Sequence, residues 1–221
     1  MAGALAAALL AGVCFAWWMA ARVDREMRAD LLQHARLVAL AVNLDRVRTL
    51  SGTDADVGSP HYQRLKEQLA AVRSADPKCR FVYLMGRRPD GTIFFFVDSE
   101  SAGSKDCSPP GQVFREAPAG TRQLFDTKAE VLEGPVGDRW GVWVSALTPL
   151  TDPRTGVVLA LLGMDVDART WSWEVAARAV LPVALLLVLL IGSVAVLVAA
   201  RHVDASAEPL LRRLLLPLTA T

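Results

Sequence analysis

Phe81-Val82-Tyr83-Leu84-Met85, then Pro89-Asp90-Gly91, then Ile93-Phe94-Phe95-Phe96-Val97 follow one another in a single unbroken pattern. Two runs of β-branched and aromatic residues flank a turn in which proline presets φ and glycine permits a positive one. Residues 80–98 are therefore expected as a β-hairpin. Three further strands are expected downstream. The first is 129–136, which turns at Gly137-Asp138. The second is 140–150, where Trp140, Val142 and Val144 alternate with Gly141, Trp143 and Ser145. The third is 157–166, entered through the turn at 152–156. It is almost continuously apolar, as a central strand covered on both faces would be. Asp167 stands where it can cap a following helix.

Upstream of the hairpin the apolar spacing is helical. Met27, Leu31, Ala35, Val38 and Val42 recur at steps of three and four within 22–50. This predicts an amphipathic helix whose stripe covers the sheet and also offers a surface to a partner subunit. Residues 51–60 form a Gly-, Ser- and Asp-rich loop. Leu65, Leu69 and Val72 then set a second helix over 61–74, stopped at Asp76-Pro77. The irregular stretch 99–120, with Ser108-Pro109-Pro110-Gly111 inside it, is too long for a simple connector and is expected as a lid or binding loop. Antiparallel strands with helices gathered on one face make an α+β domain with a five-stranded sheet.

This polar region lies between two uncharged apolar segments, 2–21 and 179–200. Each is about 20 residues, enough to cross a bilayer core as a helix. The expected organisation is a first span at 2–21, an exported domain at 22–178, a second span at 179–200 and a short cytoplasmic tail at 201–221. Trp17 and Trp18 near the outer end of the first span, and Trp171 and Trp173 shortly before the second, suit an aromatic belt, although one or two of them fit packing in the domain core instead. Arg201, Arg212 and Arg213 follow the second span and put both termini in the cytoplasm. The first segment also fits a cleaved signal peptide, since Met19-Ala20-Ala21 is rich in small residues, but it lacks a basic lead-in. Residues 210–218 fit either an amphipathic helix on the inner membrane surface or the opening of another span.

Charge is balanced, with 24 Lys and Arg against 23 Asp and Glu. A neutral domain argues against nucleic acid as a partner. Cys14 lies within the first span. Cys79 and Cys107 lie in the exported domain, where a disulfide persists if it forms, and they stand either as a candidate pair or as two free thiols. No catalytic constellation is legible. The zinc-binding His-Glu-x-x-His pattern is absent, as are a nucleophile elbow and a Gly-rich phosphate loop, and the three histidines are scattered. Asp165 and Asp167 form the only close carboxylate pair singled out, and Asp167 reads as a cap. No cofactor is expected.

The succession of a span, a long juxtamembrane helix, a five-stranded antiparallel sheet and a second span resembles the extracytoplasmic Cache domains, PAS-like sensor modules of bacterial histidine kinases, diguanylate cyclases and chemoreceptors. Leu161-Leu162-Gly163-Met164-Asp165-Val166-Asp167 resembles the last Cache strand, with its Gly-x-Asp-hydrophobic pattern ahead of the exit helix. The hairpin 81–97 resembles the module's first two strands. Asp98-Ser99-Glu100 together with Ser108-Pro109-Pro110-Gly111-Gln112 resembles periplasmic sensor regions of PAS-containing histidine kinases. The resemblance implies the input module of a bacterial inner-membrane receptor of two-component type, with a periplasmic domain, a homodimeric state and a kinase or cyclase output domain. The chain departs from that plan, for no phosphoacceptor histidine, nucleotide loop or cyclase motif follows the second span.

The resemblance further implies a small-molecule site between one sheet face and the loop 99–120. Its candidates are Arg80, Tyr83, Asp98, Ser99, Trp143, Ser145 and Asp165. A guanidinium suits a carboxylate, an acid suits an amine, and aromatic rings supply apolar walls. Asp165 leads, because a carboxylate inside an apolar strand needs a partner. Each has a blander role available: Asp98-Ser99 as a strand end, Trp143 as core, Arg80 as a solvated charge. The ligand is a small molecule or an envelope protein. The rival reading is an envelope scaffold that binds no ligand; apolar, water-free packing beneath 99–120 would favour it, and a polar-lined cavity would favour the sensor.

Overall fold

The computed structural model describes residues 2–215, and the side chains of residues 6–201 apart from Ala8. The elements in chain order are α1 (Ala2–Ala41), α2 (Leu44–Arg48), a 3-10 turn (Asp54–Asp56), α3 (Pro60–Ala75), β1 (Cys79–Arg87), β2 (Ile93–Asp98), α4 (Ala119–Thr127), β3 (Val131–Gly137), β4 (Val142–Thr151), β5 (Val158–Asp167) and α5 (Ala168–Leu215). The chain divides into two compact units. One is Asp24–Val175, and the other comprises the residues up to Val23 and those from Ala176 onward.

In the first unit the five strands form one antiparallel sheet in the order β2-β1-β5-β4-β3. The hairpin β1–β2 forms as its sequence predicts. Gly91 takes φ 85° in the turn, and the Asp90 carboxylate accepts from Thr92 N at 2.9 Å. The apolar β5 is the central strand and is buried along nearly its whole length. The turn before it is closed by Asp152, which accepts from Arg154 N at 2.8 Å and pairs with Arg48 at 2.7 Å.

The long first helix is interrupted. It ends at Ala41, and Asn43 starts α2 by accepting from Arg46 N at 3.1 Å. An Asn with a free side-chain carbonyl offers a new N-cap, which competes with continuing the helix. The buried stripe of α1 within this unit is Met27, Leu31, Ala35, Ala39 and Val42; Ala39 replaces Val38, which is only half-buried. Ser59 caps α3 by accepting from Tyr62 N, with Pro60 in the first turn.

The expectation that helices gather on one face is incomplete. Helix α4, which no sequence signal announced, packs against β4 and β5. Its Leu124 and Phe125 join Met85, Phe95, Leu147 and Leu161 in a core cluster. Tyr83, Gly163 and Leu147 lie in register across β1, β5 and β4. They share the α4 face, while Val82, Leu84, Leu162 and Met164 point to the opposite one. Trp140 was expected to lead β4 in step with Val142 and Val144. It lies instead in the β3–β4 turn, with its ring 5.8 Å from Phe95 and 6.1 Å from Phe114. The loop 99–118 is partly tied down as an extra edge, for Phe95 N donates to Gln112 O at 3.0 Å and Phe114 N to Ile93 O at 2.9 Å.

Asp167 caps α5, accepting from the backbone N–H groups of Arg169 and Thr170 at 2.9 and 3.0 Å. Trp171 is buried and donates to Asp24 at 2.7 Å, whereas Trp173 is exposed. Of the four tryptophans considered for a belt, Trp171 is therefore part of the domain core. Among the described residues one stretch, Ala168–Arg201, is long and apolar enough to cross a membrane. Most of its leucines and valines from Val180 onward are exposed. Residues 2–21 are helical, as the opening of α1, with Leu9, Leu10 and Val13 exposed. The expected tail helix at 210–218 coincides with the end of α5 as far as Leu215; residues 216–218 lie outside the described residues.

Candidate functional site

The register of the central strands builds the site. Asp165 on β5 lies opposite Phe81 on β1 and Ser145 on β4, and Ser145 lies opposite Glu133 on β3. Because side chains alternate along a strand, all four point to the face covered by α4 and the loop. Gly163, two residues before Asp165, lies opposite Tyr83. A Cβ on Gly163 would overlap the Tyr83 ring. The missing side chain lets the ring lie across β5 and brings its hydroxyl to Asp165, to which it donates at 3.1 Å. The Gly-x-Asp pattern thus has a mechanical meaning here: the glycine seats the ring whose hydroxyl holds the carboxyl.

Two small cavities flank this pair, each of about 30 Å³, room for about one water molecule. Both are bordered by Tyr83, Phe114, Asp138 and Asp165. The first extends toward Phe81, Phe95, Asp98, Asp106, Ser108 and Trp140. The second extends toward Glu133, Trp143, Ser145 and Thr121. The Phe81 and Trp143 rings meet edge-on at 5.0 Å, and Tyr83 and Phe95 at 5.4 Å. Asp138 secures the β3–β4 turn, where one of its oxygens accepts from Trp140 N, Gly141 N and Trp143 Nε1 at 2.8–3.0 Å.

Burial pushes the Asp165 carboxyl up to about 7; bonds from Ser145 and Tyr83 oppose the rise and the Asp138 charge adds to it. Burial, helped by the Asp165 charge, drives the Tyr83 phenol well above its usual range and keeps it a neutral donor. Burial also raises Glu133, against a bond from Thr121.

Five of the seven expected ligand residues line the cavities: Tyr83, Asp98, Trp143, Ser145 and Asp165. Asp98 borders the first cavity, but its oxygens are engaged by Lys66 Nζ at 3.2 Å and by the N–H groups of Glu100 and Ser108. It anchors the loop. Ser99 lies off the cavities and extends the β1–β2 pairing, donating to Val82 O at 2.9 Å and accepting from Val82 N at 3.1 Å. Arg80 also lines neither cavity. It pairs with Glu100 and with Asp106 at 2.8 Å, and stacks 4.2 Å over Phe81.

The candidate disulfide between Cys79 and Cys107 is not formed. Cys79 is buried at the start of β1 with its thiol donating to Phe81 O at 3.2 Å, and Cys107 turns toward Asp98. Burial and the Asp165 charge push the Cys79 thiol up to about 12, so it is a neutral packing group. Among the described residues no group of three or more His, Cys, Asp or Glu is arranged to hold a metal ion.

The residues that sequence reasoning missed are Asp138, Trp140, Phe114 and Glu133; Gly163 is legible in the Gly-x-Asp pattern, but its role is not. Phe114, a large aromatic alone in a polar loop, carried the one local signal. Asp138 and Trp140 read as turn and strand residues, and only the pairing of β3 with β4 brings them over Asp165.

No protein-family model matches the chain, and no curated protein is similar to it in sequence. Among solved structures, an extracellular ligand-binding receptor from Desulfohalobium retbaense DSM5692 superposes with a TM-score of 0.50 at 13% identity, over 74% of this chain and 27% of the receptor. The sensory domain of the Campylobacter jejuni chemoreceptor Tlp3 gives 0.49 at 9% identity, over 77% of this chain and 64% of that domain. The same domain in complex with L-valine gives 0.48. This chain therefore spans less than two thirds of either neighbour. The chain shares the fold of a part of the Desulfohalobium retbaense receptor.

Proposed function

We propose that Asp24–Val175 is the extracytoplasmic input domain of a membrane signalling receptor, and that it binds a small molecule at the cavities over Asp165. The observation that carries this reading is the polar lining beneath the loop 99–118. A scaffold would be served by a dry apolar core there. This face instead holds carboxyl groups, a phenol, a hydroxyl and aromatic walls around unfilled space, the usual composition of a small-molecule site. The fold shared with an extracellular ligand-binding receptor agrees with it.

The cavities admit only water-sized groups as they stand, so a ligand enters by displacing Phe114 or Trp140 and part of the loop. The rearrangement would reach the exit helix through Asp165, because β5 runs into α5 with only Asp167 between its last buried residue and the helix. The signal would cross the membrane through α5 and through the apolar opening of α1 acting as a second span, in a bacterial inner membrane. A homodimer would form along α1, where Leu37 and Leu40 are exposed. A kinase or cyclase output, the kind that the Cache resemblance implies, would receive it.

The test is a thermal-shift screen of the full chain in nanodiscs against amino acids, carboxylates, amines, sugars and purines. A ligand that binds only the folded state raises the melting temperature by mass action. At least one class is expected to do so, with the response lost in Ser145→Ala or Phe114→Ala. A flat screen on well-folded protein would sink the sensor reading in favour of a scaffold.

A further inference from the structure

We infer that this cavity takes a small organic cation, an ammonium compound carrying no carboxylate of its own. The inference rests on the sensor reading above and names the ligand class for that site. It follows from the balance of charge around the cavities. Six acidic residues border them: Asp98, Asp106, Glu116, Glu133, Asp138 and Asp165. No Lys or Arg does. Three of the six are neutralised from outside the cavity, Asp98 by Lys66, Asp106 by Arg80 and Glu116 by Arg139. Asp138, Asp165 and Glu133 have no ion pair among the described residues, and Asp165 is 5% exposed.

An unpaired carboxyl is costly to bury, and the guanidinium whose charge acts on one of the three, Arg139 on Asp138, is committed to Glu116. An entering ammonium supplies a cation. It would donate to Asp165 and Asp138 while its carbon atoms lie against Phe81, Phe95, Phe114 and Trp140, whose faces also attract a cation. A carboxylate on the ligand would meet an acidic lining whose neighbouring cations are already paired. Two guanidiniums stand near the lining and both are committed: Arg80 stacks over Phe81 and pairs with Glu100 and Asp106, and Arg139 stacks over Trp140 and pairs with Glu116, so freeing either would break its pairs.

The experiment compares amines with their carboxylated counterparts on the full chain in nanodiscs, by calorimetry and thermal shift. The pairs are methylammonium with glycine, ethanolamine with serine, and putrescine with ornithine. At least one amine is expected to bind at least about tenfold more tightly than its counterpart, a difference of about 1.4 kcal/mol. Asp138→Asn is expected to weaken that amine by a similar factor while keeping an acceptor for the turn. Glu133→Gln, outside the turn, is a second variant with the same sign and a smaller loss. Amino acids that bind as tightly as the amines would overturn the inference, and so would amine binding indifferent to both variants. If only carboxylates, sugars or purines bind, the cation class fails and the sensor reading stands. If nothing binds, both fail.

Discussion

The two faces of the one sheet are built to different rules. On the face opposite α4 the central strands contribute Val82, Leu84, Val144, Leu162 and Met164, all at 0–1% exposure. The side chains there are aliphatic and close-packed. On the other face the same strands contribute Phe81, Tyr83, Ser145, Gly163 and Asp165, with gaps of about one water beside them. Strand β5 supplies both sets in strict alternation: Leu162, Met164 and Val166 to one side, Gly163 and Asp165 to the other. Stability and chemistry are thus kept apart by the thickness of a single strand. The second face carries its carboxyl groups and gaps beside an apolar cluster of its own, which includes Met85, Phe95, Leu124 and Leu161.

Four substitutions or conditions would break or sharpen this contrast. The largest effect is expected on the dry face. Leu162→Ala should destabilise the unit by about 2–5 kcal/mol, since the removed methyl groups leave a cavity that tight packing cannot close. Chemical denaturation measures it, and a loss below about 1 kcal/mol would mean the face is looser than it looks.

Next comes Gly163→Ala, which drives a methyl group into the Tyr83 ring at an expected cost of about 1–3 kcal/mol. If the ring is the cause, the change should cost much less in a Tyr83→Ala background. Equal losses in both backgrounds would remove the seating role assigned to Gly163.

The third concerns pH. Burial raises the Asp165 carboxyl to about 7 in the folded unit, well above its ordinary value of 3.8. The folded state therefore holds this proton more tightly than the unfolded one, so stability from this group is greatest below about pH 4 and is lost as pH rises toward 7. Burial is the main cause of the rise, which the bonds from Ser145 and Tyr83 oppose and the Asp138 charge increases. Unfolding curves between pH 4 and 8 should show this decline in the wild type, and Asp165→Asn should flatten it. An unchanged slope in the variant would place the titration elsewhere. Cation binding reverses the preference, so amine affinity should rise with pH through the same range.

The smallest effect is expected for Tyr83→Phe. It removes one hydrogen bond at a cost of about 1 kcal/mol and moves the Asp165 titration further up, because the phenol bond holds it down. A downward movement would contradict the geometry.

Periodicity made the elements legible wherever local chemistry is enough to define them. The hairpin at β1–β2 follows from a Pro-Asp-Gly turn between apolar runs. The central position of β5 follows from its unbroken apolar sequence, and the cap at Asp167 from its place ahead of a helix. Helix α4 escaped because Ala119–Thr127 is short and has no side-chain N-cap; its helicity comes from packing Leu124 and Phe125 on the sheet. Of the site, Asp165, Tyr83, Trp143 and Ser145 could be named in advance only as what the Cache resemblance implies about one sheet face and its covering loop. Arg80 and Ser99 could not be sorted from them, because whether a polar group faces a ligand or a neighbouring residue depends on partners distant in sequence, here Glu100, Asp106 and Val82.

The amino-acid sequence by itself determined the strands, the caps, the turns and the apolar segments, because each is a matter of neighbours a few residues apart. Only the tertiary structure decided that Asp138 and Glu133 lie beside Asp165, that Arg80 is spoken for, and that the cysteines stay apart. Those facts follow from strand register and from the path of the loop, where residues dozens of positions apart meet, and the balance of charge that gives the cavity its character exists only once they do.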